Sequence, residues 1–144
     1  MEDKYILSIK GFQSYEDDTD DSDITLTTEA KFEKQDGVYF IDYEESEITG
    51  LDGTKTSIEV GENYVSLSRS GNINSQMLFM KDRKTSSYYN TPYGNMIIDI
   101  FTNNLNIDIT NDGGEIKVGY LLDINNSSSS KNNFEIQIRR KSIW

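Results

Sequence analysis

The feature that most limits this chain is a hydrophobic pattern of period two, broken again and again by turn residues. Ile24, Leu26, Thr28, Ala30 and Phe32 alternate with Thr25, Thr27, Glu29, Lys31 and Glu33. Leu105, Ile107 and Ile109 alternate with Asn106, Asp108 and Thr110. Ile116, Val118, Tyr120, Leu122 and Ile124 share one parity, as do Phe134, Ile136 and Ile138. A strand points successive side chains to opposite faces, so each run has one face for a core and one for water. Gln35-Asp36-Gly37, Leu51-Asp52-Gly53-Thr54, Gly61-Glu62-Asn63, Ser70-Gly71-Asn72, Lys81-Asp82-Arg83, Thr91-Pro92-Tyr93-Gly94 and Asn111-Asp112-Gly113-Gly114 separate the runs. Such sequences supply the positive-φ residues that tight hairpins require. Roughly ten strands at a spacing of about 8–12 residues are expected, with no convincing helix. Short links favour neighbour-to-neighbour pairing, and closing the meander removes its exposed edges. The expected fold is therefore all-β: one antiparallel, mainly up-and-down barrel of about 8–10 strands. It is expected to occupy residues 1–144 as a single domain.

Composition removes most chemistries. The chain has no histidine and no cysteine. That excludes a Ser-His-Asp triad, a cysteine nucleophile and the usual zinc sites. It also leaves no disulfide, consistent with a reducing compartment. No glycine-rich loop leads from a strand into a helix, so phosphate-cradling motifs are absent. The net charge of -11 disfavours nucleic acid and anionic membrane as partners. Met1-Glu2-Asp3 is not the basic start of a signal peptide, and no apolar run is long enough to span a bilayer. A cytoplasmic protein is expected.

Three polar clusters merit a chemical test. Asp18, Asp20, Ser22 and Glu29 occupy the first, third, fifth and twelfth positions of a calcium loop. The sixth position is Asp23 where glycine is needed, and flanking helices are missing, so no metal site is expected. The run Glu16–Asp21 and the stretch Asn125–Asn133, with its four serines, read as solvated loops. Asp42, Glu44, Glu45 and Glu47 form an acidic strand. Glu45 and Glu47 share the parity of Ile41 and Tyr43, and strand rise separates them by about 7 Å. That spacing suits a carboxylate pair of an inverting glycosidase, but it is also what any acidic strand provides. The third cluster centres on Arg69, which shares parity with Val65 and Leu67 and so is expected to point inward. A buried arginine needs a partner, and Glu45 or Glu47 is the candidate. Gln76, Tyr88, Tyr89, Thr91 and Tyr93 follow on neighbouring strands and turns. Polar groups converging among aromatic walls describe a ligand site in a barrel mouth, and equally a polar network that closes the barrel.

Several motifs together resemble a known family. They are LSIKGFQ at Leu7–Gln13, YEESEITGLDGT at Tyr43–Thr54, NSQMLF at Asn74–Phe79, TPYG at Thr91–Gly94, the Asp-Gly-Gly hairpin near Gly113 and the closing basic strand. In this order they are similar to the YwiB-like family of bacterial proteins, a domain of unknown function. The resemblance implies a calycin-like, lipocalin-type barrel in a bacterial cytosol. It implies no activity and no catalytic residues.

The functional expectation is a non-enzymatic barrel that holds a small molecule in its mouth, without a cofactor. Arg69, Gln76, Tyr88, Thr91, Tyr93, Glu45 and Glu47 are the candidate contacts. The alternative is a fully packed barrel serving as a protein-interaction or structural module, with Phe32, Phe40, Phe79, Phe101 and Phe134 inside. A carboxylate enzyme using Glu45, Glu47 or Arg69 is the third reading.

Overall fold

The computed structural model describes residues 4–15, 22–45, 53–71, 74–91, 94–124 and 128–141. Within these, the side chains of 12–15, 22–24, 88–91 and 128–129 are not described. Ten strands run in chain order: β1 Tyr5–Tyr15, β2 Ser22–Gln35, β3 Val38–Glu44, β4 Thr54–Val60, β5 Tyr64–Gly71, β6 Asn74–Met80, β7 Lys84–Thr91, β8 Gly94–Thr110, β9 Gly113–Ile124 and β10 Ser128–Arg140. Each pairs antiparallel with its chain neighbour, and β10 pairs with β1 to close the barrel. Among the described residues there is no helix, and so none long and apolar enough to cross a membrane.

The turns form where the sequence supplies their chemistry. Asp36 (φ 52°) and Gly37 (φ 83°) make the two-residue turn between β2 and β3. Positive φ at both positions matches the twist of the flanking strands, which is why Asp-Gly suits the site. A β-bulge interrupts β8 between Thr102 and Asn104. The extra residue switches the parity of the strand. Ile98, Ile100 and Thr102 are buried before it, and Leu105, Ile107 and Ile109 pack on the core after it. Two sequence runs of opposite parity are thereby one long strand.

The core lies inside the barrel. Leu7, Ile41, Ile58, Val65, Ile116 and Ile136 are completely buried. Each such side chain contributes roughly 1.5–3 kcal/mol when removed from water. Two aromatic groups pack the lumen. Tyr5 meets Phe32 edge-on at 5.0 Å between ring centroids, and Phe32 stacks on Tyr39 at 5.4 Å. Phe79 lies 4.9 Å from Tyr120 and 5.3 Å from Phe134. The expectation that all five named phenylalanines face inward is corrected at two positions. Phe40 stands opposite Glu33 and Glu59, on the outer face, because its neighbour Ile41 takes the inner one. Phe101 is exposed because Ile100 and Thr102 on either side are buried.

The serine-rich stretch is also corrected. Ser128–Asn133 belong to strand β10 and not to a loop. Ser130 and Asn132 are buried, and the Asn132 side-chain amide donates to Ser130 Oγ at 3.0 Å. Alternation carries these polar residues to the inner face, where hydrogen bonding to each other offsets their burial.

Candidate functional site

The strand directions give the barrel two different ends. At one end lie the β2–β3, β4–β5, β6–β7 and β8–β9 connections. At the other, β1, β3, β5, β7 and β9 end and their successors begin. That second end carries polar residues on its inner wall. Register sets Tyr43 opposite Thr56, Thr56 opposite Arg69, Arg69 opposite Ser75, and Ser75 opposite Tyr89. Toward the apolar middle, the parallel row is Ile41, Ile58, Leu67 and Met77.

Glu45 anchors the polar end. Its backbone N–H donates to Thr54 O at 2.9 Å, which continues the ladder just past β3. Its side chain is 1% exposed, and the Thr56 hydroxyl donates to Oε1 at 2.6 Å. Arg69 Nε stands 3.9 Å from the same oxygen, an ion pair without a direct hydrogen bond at that nitrogen. Burial, the Glu45 charge and hydrogen bonding with Glu45 raise the Tyr43 phenol well above its ordinary value. Burial pushes Tyr120 up to about 12, with the Arg69 guanidinium opposing the shift. Both phenols stay neutral and remain hydrogen-bond donors through the physiological range.

The polar end is incompletely satisfied. Glu45 Oε2, Thr54 Oγ1, Arg69 Nε and Ser75 Oγ are buried without a hydrogen-bond partner. Most buried polar atoms find partners, so four orphans in two adjacent rows at one end of a barrel need an account. A cleft of about 760 Å³ reaches one of them, Arg69, and is lined as well by Tyr43 and Thr56.

Of the residues expected from the sequence, Arg69 and Glu45 come together as anticipated. Gln76 does not join them. It is exposed and stands opposite Ser68, because the inward parity of β6 belongs to Ser75, Met77 and Phe79. Tyr88 and Thr91 pair through their backbones with Ile97 and Gly94, and their side chains are not described. Glu47 and Tyr93 lie outside the described residues, as do Asp18 and Asp20 of the calcium pattern. Glu29, the last position of that pattern, lies in β2, and its carboxylate accepts from Lys141 Nζ at 2.6 Å. Among the described residues no group of acidic side chains is assembled to hold a metal ion. The sequence reading missed Thr54, Thr56, Ser75 and Tyr120, although parity with Ile58, Phe79 and Val118 marks each of them as inward.

A family profile described as a domain of unknown function, DUF1934, matches residues 7–136. The chain belongs to this family. A crystal structure of the ywiB protein from Bacillus subtilis is similar in fold, with a TM-score of 0.79 at 19% sequence identity, covering 97% of this chain and 93% of that one. No curated protein matches the sequence. The DUF1934 description names no activity, so function has to be argued from the site.

Proposed function

We propose that this protein is a non-enzymatic, cytoplasmic barrel that binds a small molecule at the polar end of its lumen. The observation that carries the reading is the group of orphaned atoms on Glu45, Thr54, Arg69 and Ser75. Unpaired polar atoms are costly inside a protein, and a bound molecule with complementary groups would remove that cost. The cleft that reaches Arg69, about 760 Å³, has the size usual for small-molecule sites. Analogy with calycin-type barrels that hold ligands points the same way, at the level of fold alone. Native mass spectrometry of gently purified protein tests the reading. A retained small mass supports it. Bare protein, with Glu45→Gln no less able than wild type to bind any tested compound, refutes it.

A second reading has one observation of its own. Ile97, Phe101 and Leu121 are exposed on the outer face of β8 and β9, and Phe101 pairs across the strands with Leu121. Such residues suit a protein-interaction module with a packed lumen. In the same experiment a stoichiometric protein partner would favour it.

A further inference from the structure

The cleft beside the polar end has an unusual lining. Thr28, Ala30, Tyr43, Thr56 and Arg69 have the parity of the inner wall. Glu29, Lys31, Asp42, Glu44 and Lys55 have the parity of the outer wall. A cleft lined by residues of both parities can pass a strand edge where neighbouring strands stop pairing. The pairing shows where that is. Strand β2 pairs with β1 through Ala30, whereas its ladder to β3 begins at Lys31 and runs only to Gln35. Beyond Lys31 and Asp42, β2 stays with β1 and β3 with β4. The wall therefore divides beside Tyr43, toward the end that holds Glu45 and Arg69.

The lining also limits what would fit. Its cations are Lys4, Lys31, Lys55 and Arg69. Among the described residues they are offset by Asp42 and Glu44 in the lining, by Glu45 paired to Arg69, and by Glu29, which Lys141 also pairs. A site so balanced selects neither sign of charge. Hydroxyl-bearing residues make up most of the remaining lining, Thr28 and Thr56 on the inner parity and Ser57, Ser68 and Ser70 on the outer. Among the described lining residues Ala30 is the one wholly apolar side chain. Of the orphans, Arg69 Nε belongs to a lining residue and donates; behind the lining, Glu45 Oε2 accepts, and the hydroxyls of Thr54 and Ser75 do either.

The geometry points to a lateral opening between β2 and β3 that admits a neutral, hydroxyl-rich molecule of saccharide or polyol kind to the Glu45–Arg69 level. This rests on the small-molecule reading above and gives that site a route and a ligand chemistry. An apolar ligand would leave the hydroxyls and orphaned atoms unpaired, and a charged one would upset a balanced set.

The route and the chemistry are tested separately. The chain has no cysteine, so a single introduced thiol is unique. Ser75→Cys places it at the orphaned position, and Thr102→Cys places a control at a fully buried residue. N-ethylmaleimide is expected to modify Ser75→Cys at least tenfold faster. Adding Ala30→Trp, or Thr28→Trp should the first perturb folding by circular dichroism, is expected to slow that reaction tenfold or more. Equal rates for the two cysteines, or no effect of a folded tryptophan variant, overturns the lateral route. For the chemistry, glucose, maltose and myo-inositol are titrated against decanoate and citrate by saturation-transfer NMR. Saturable binding of a neutral probe, weakened at least tenfold by Arg69→Met, supports the assignment. Preference for decanoate or citrate, or no binding of the three neutral probes, overturns it. A retained mass in native mass spectra together with failure here leaves small-molecule binding standing while removing this route or ligand class.

Discussion

Replacing Arg69 by methionine isolates the charge at the centre of the candidate site, because methionine keeps much of the packing stem. Arg69 Nε and Glu45 Oε1 are 3.9 Å apart, with the arginine side chain 21% exposed and the glutamate 1% exposed. At an effective dielectric near 20, that separation corresponds to about 4 kcal/mol of attraction. Removing one partner of a buried pair costs roughly 3–5 kcal/mol, mostly because the other charge is left without compensation. Partial exposure of the guanidinium screens the pair, and Thr56 still donates to Glu45 after the change. The expected loss for Arg69→Met is therefore about 2–4 kcal/mol. Glu45→Gln should cost less, because it leaves a cation that already reaches the cleft, where water can solvate it. The double variant should recover at least about 1.5 kcal/mol relative to the sum of the singles. Urea denaturation of all four proteins measures this directly. A loss below about 1 kcal/mol for Arg69→Met, additive with Glu45→Gln, would falsify the buried-charge account and place the pair with ordinary surface ion pairs.

Three further outcomes follow from individual contacts. Thr102 is completely buried with its hydroxyl unpaired, so Thr102→Val should stabilise the fold by about 1 kcal/mol; a lower melting temperature would mean that the hydroxyl has a partner. A Cβ at Gly114 would lie 2.0 Å from Asp108 O, so Gly114→Ala should cost about 3 kcal/mol or more. At Gly94 the φ of +133° meets open space, so Gly94→Ala should cost only about 1 kcal/mol; similar denaturation midpoints for the two variants would refute the contrast. The raised pKa of Tyr120, about 12, means that its stabilising contribution is complete below pH 10 and is lost as pH rises toward 12. Tyr120→Phe should therefore lose about 2 kcal/mol less than wild type between pH 9 and pH 12, and parallel pH profiles in urea melts would count against a buried phenol.

The barrel was legible because period-two patterning is strong wherever one strand face is dry. Leu26, Ile116 and Ile138 mark inner faces without any tertiary knowledge. Patterning failed where polar residues are on the inside. Ser130 and Asn132 look like loop residues by type, yet they are buried because alternation along β10 carries inward from Phe134 and Ile136. It failed again at the β8 bulge. Composition alone does not show that an extra residue near Asn103 lets Thr102 and Leu105 face the same lumen. Phe101, placed inside in the packed-barrel alternative, faces out because Ile100 beside it takes the inner face.

The candidate site shows which part of such a network a sequence discloses. Parity alone turned Arg69 inward, and the need of a buried cation for a carboxylate pointed to Glu45 or Glu47. The remaining groups depend on register, which hairpin turns only partly disclose. Gln76 was named as a contact without its parity on β6 being set against that of Met77 and Phe79. Yet a strand offers its inner face only to alternate residues, and Arg69 sits opposite Ser75. The opening between β2 and β3 is further still from the sequence. It arises because β2 changes partner along its length, from β1 through Ala30 to β3 from Lys31. No residue type encodes that change. What Thr28, Ala30 and Tyr43 share is a place where the ladder stops, and there the inner wall becomes reachable from outside the barrel.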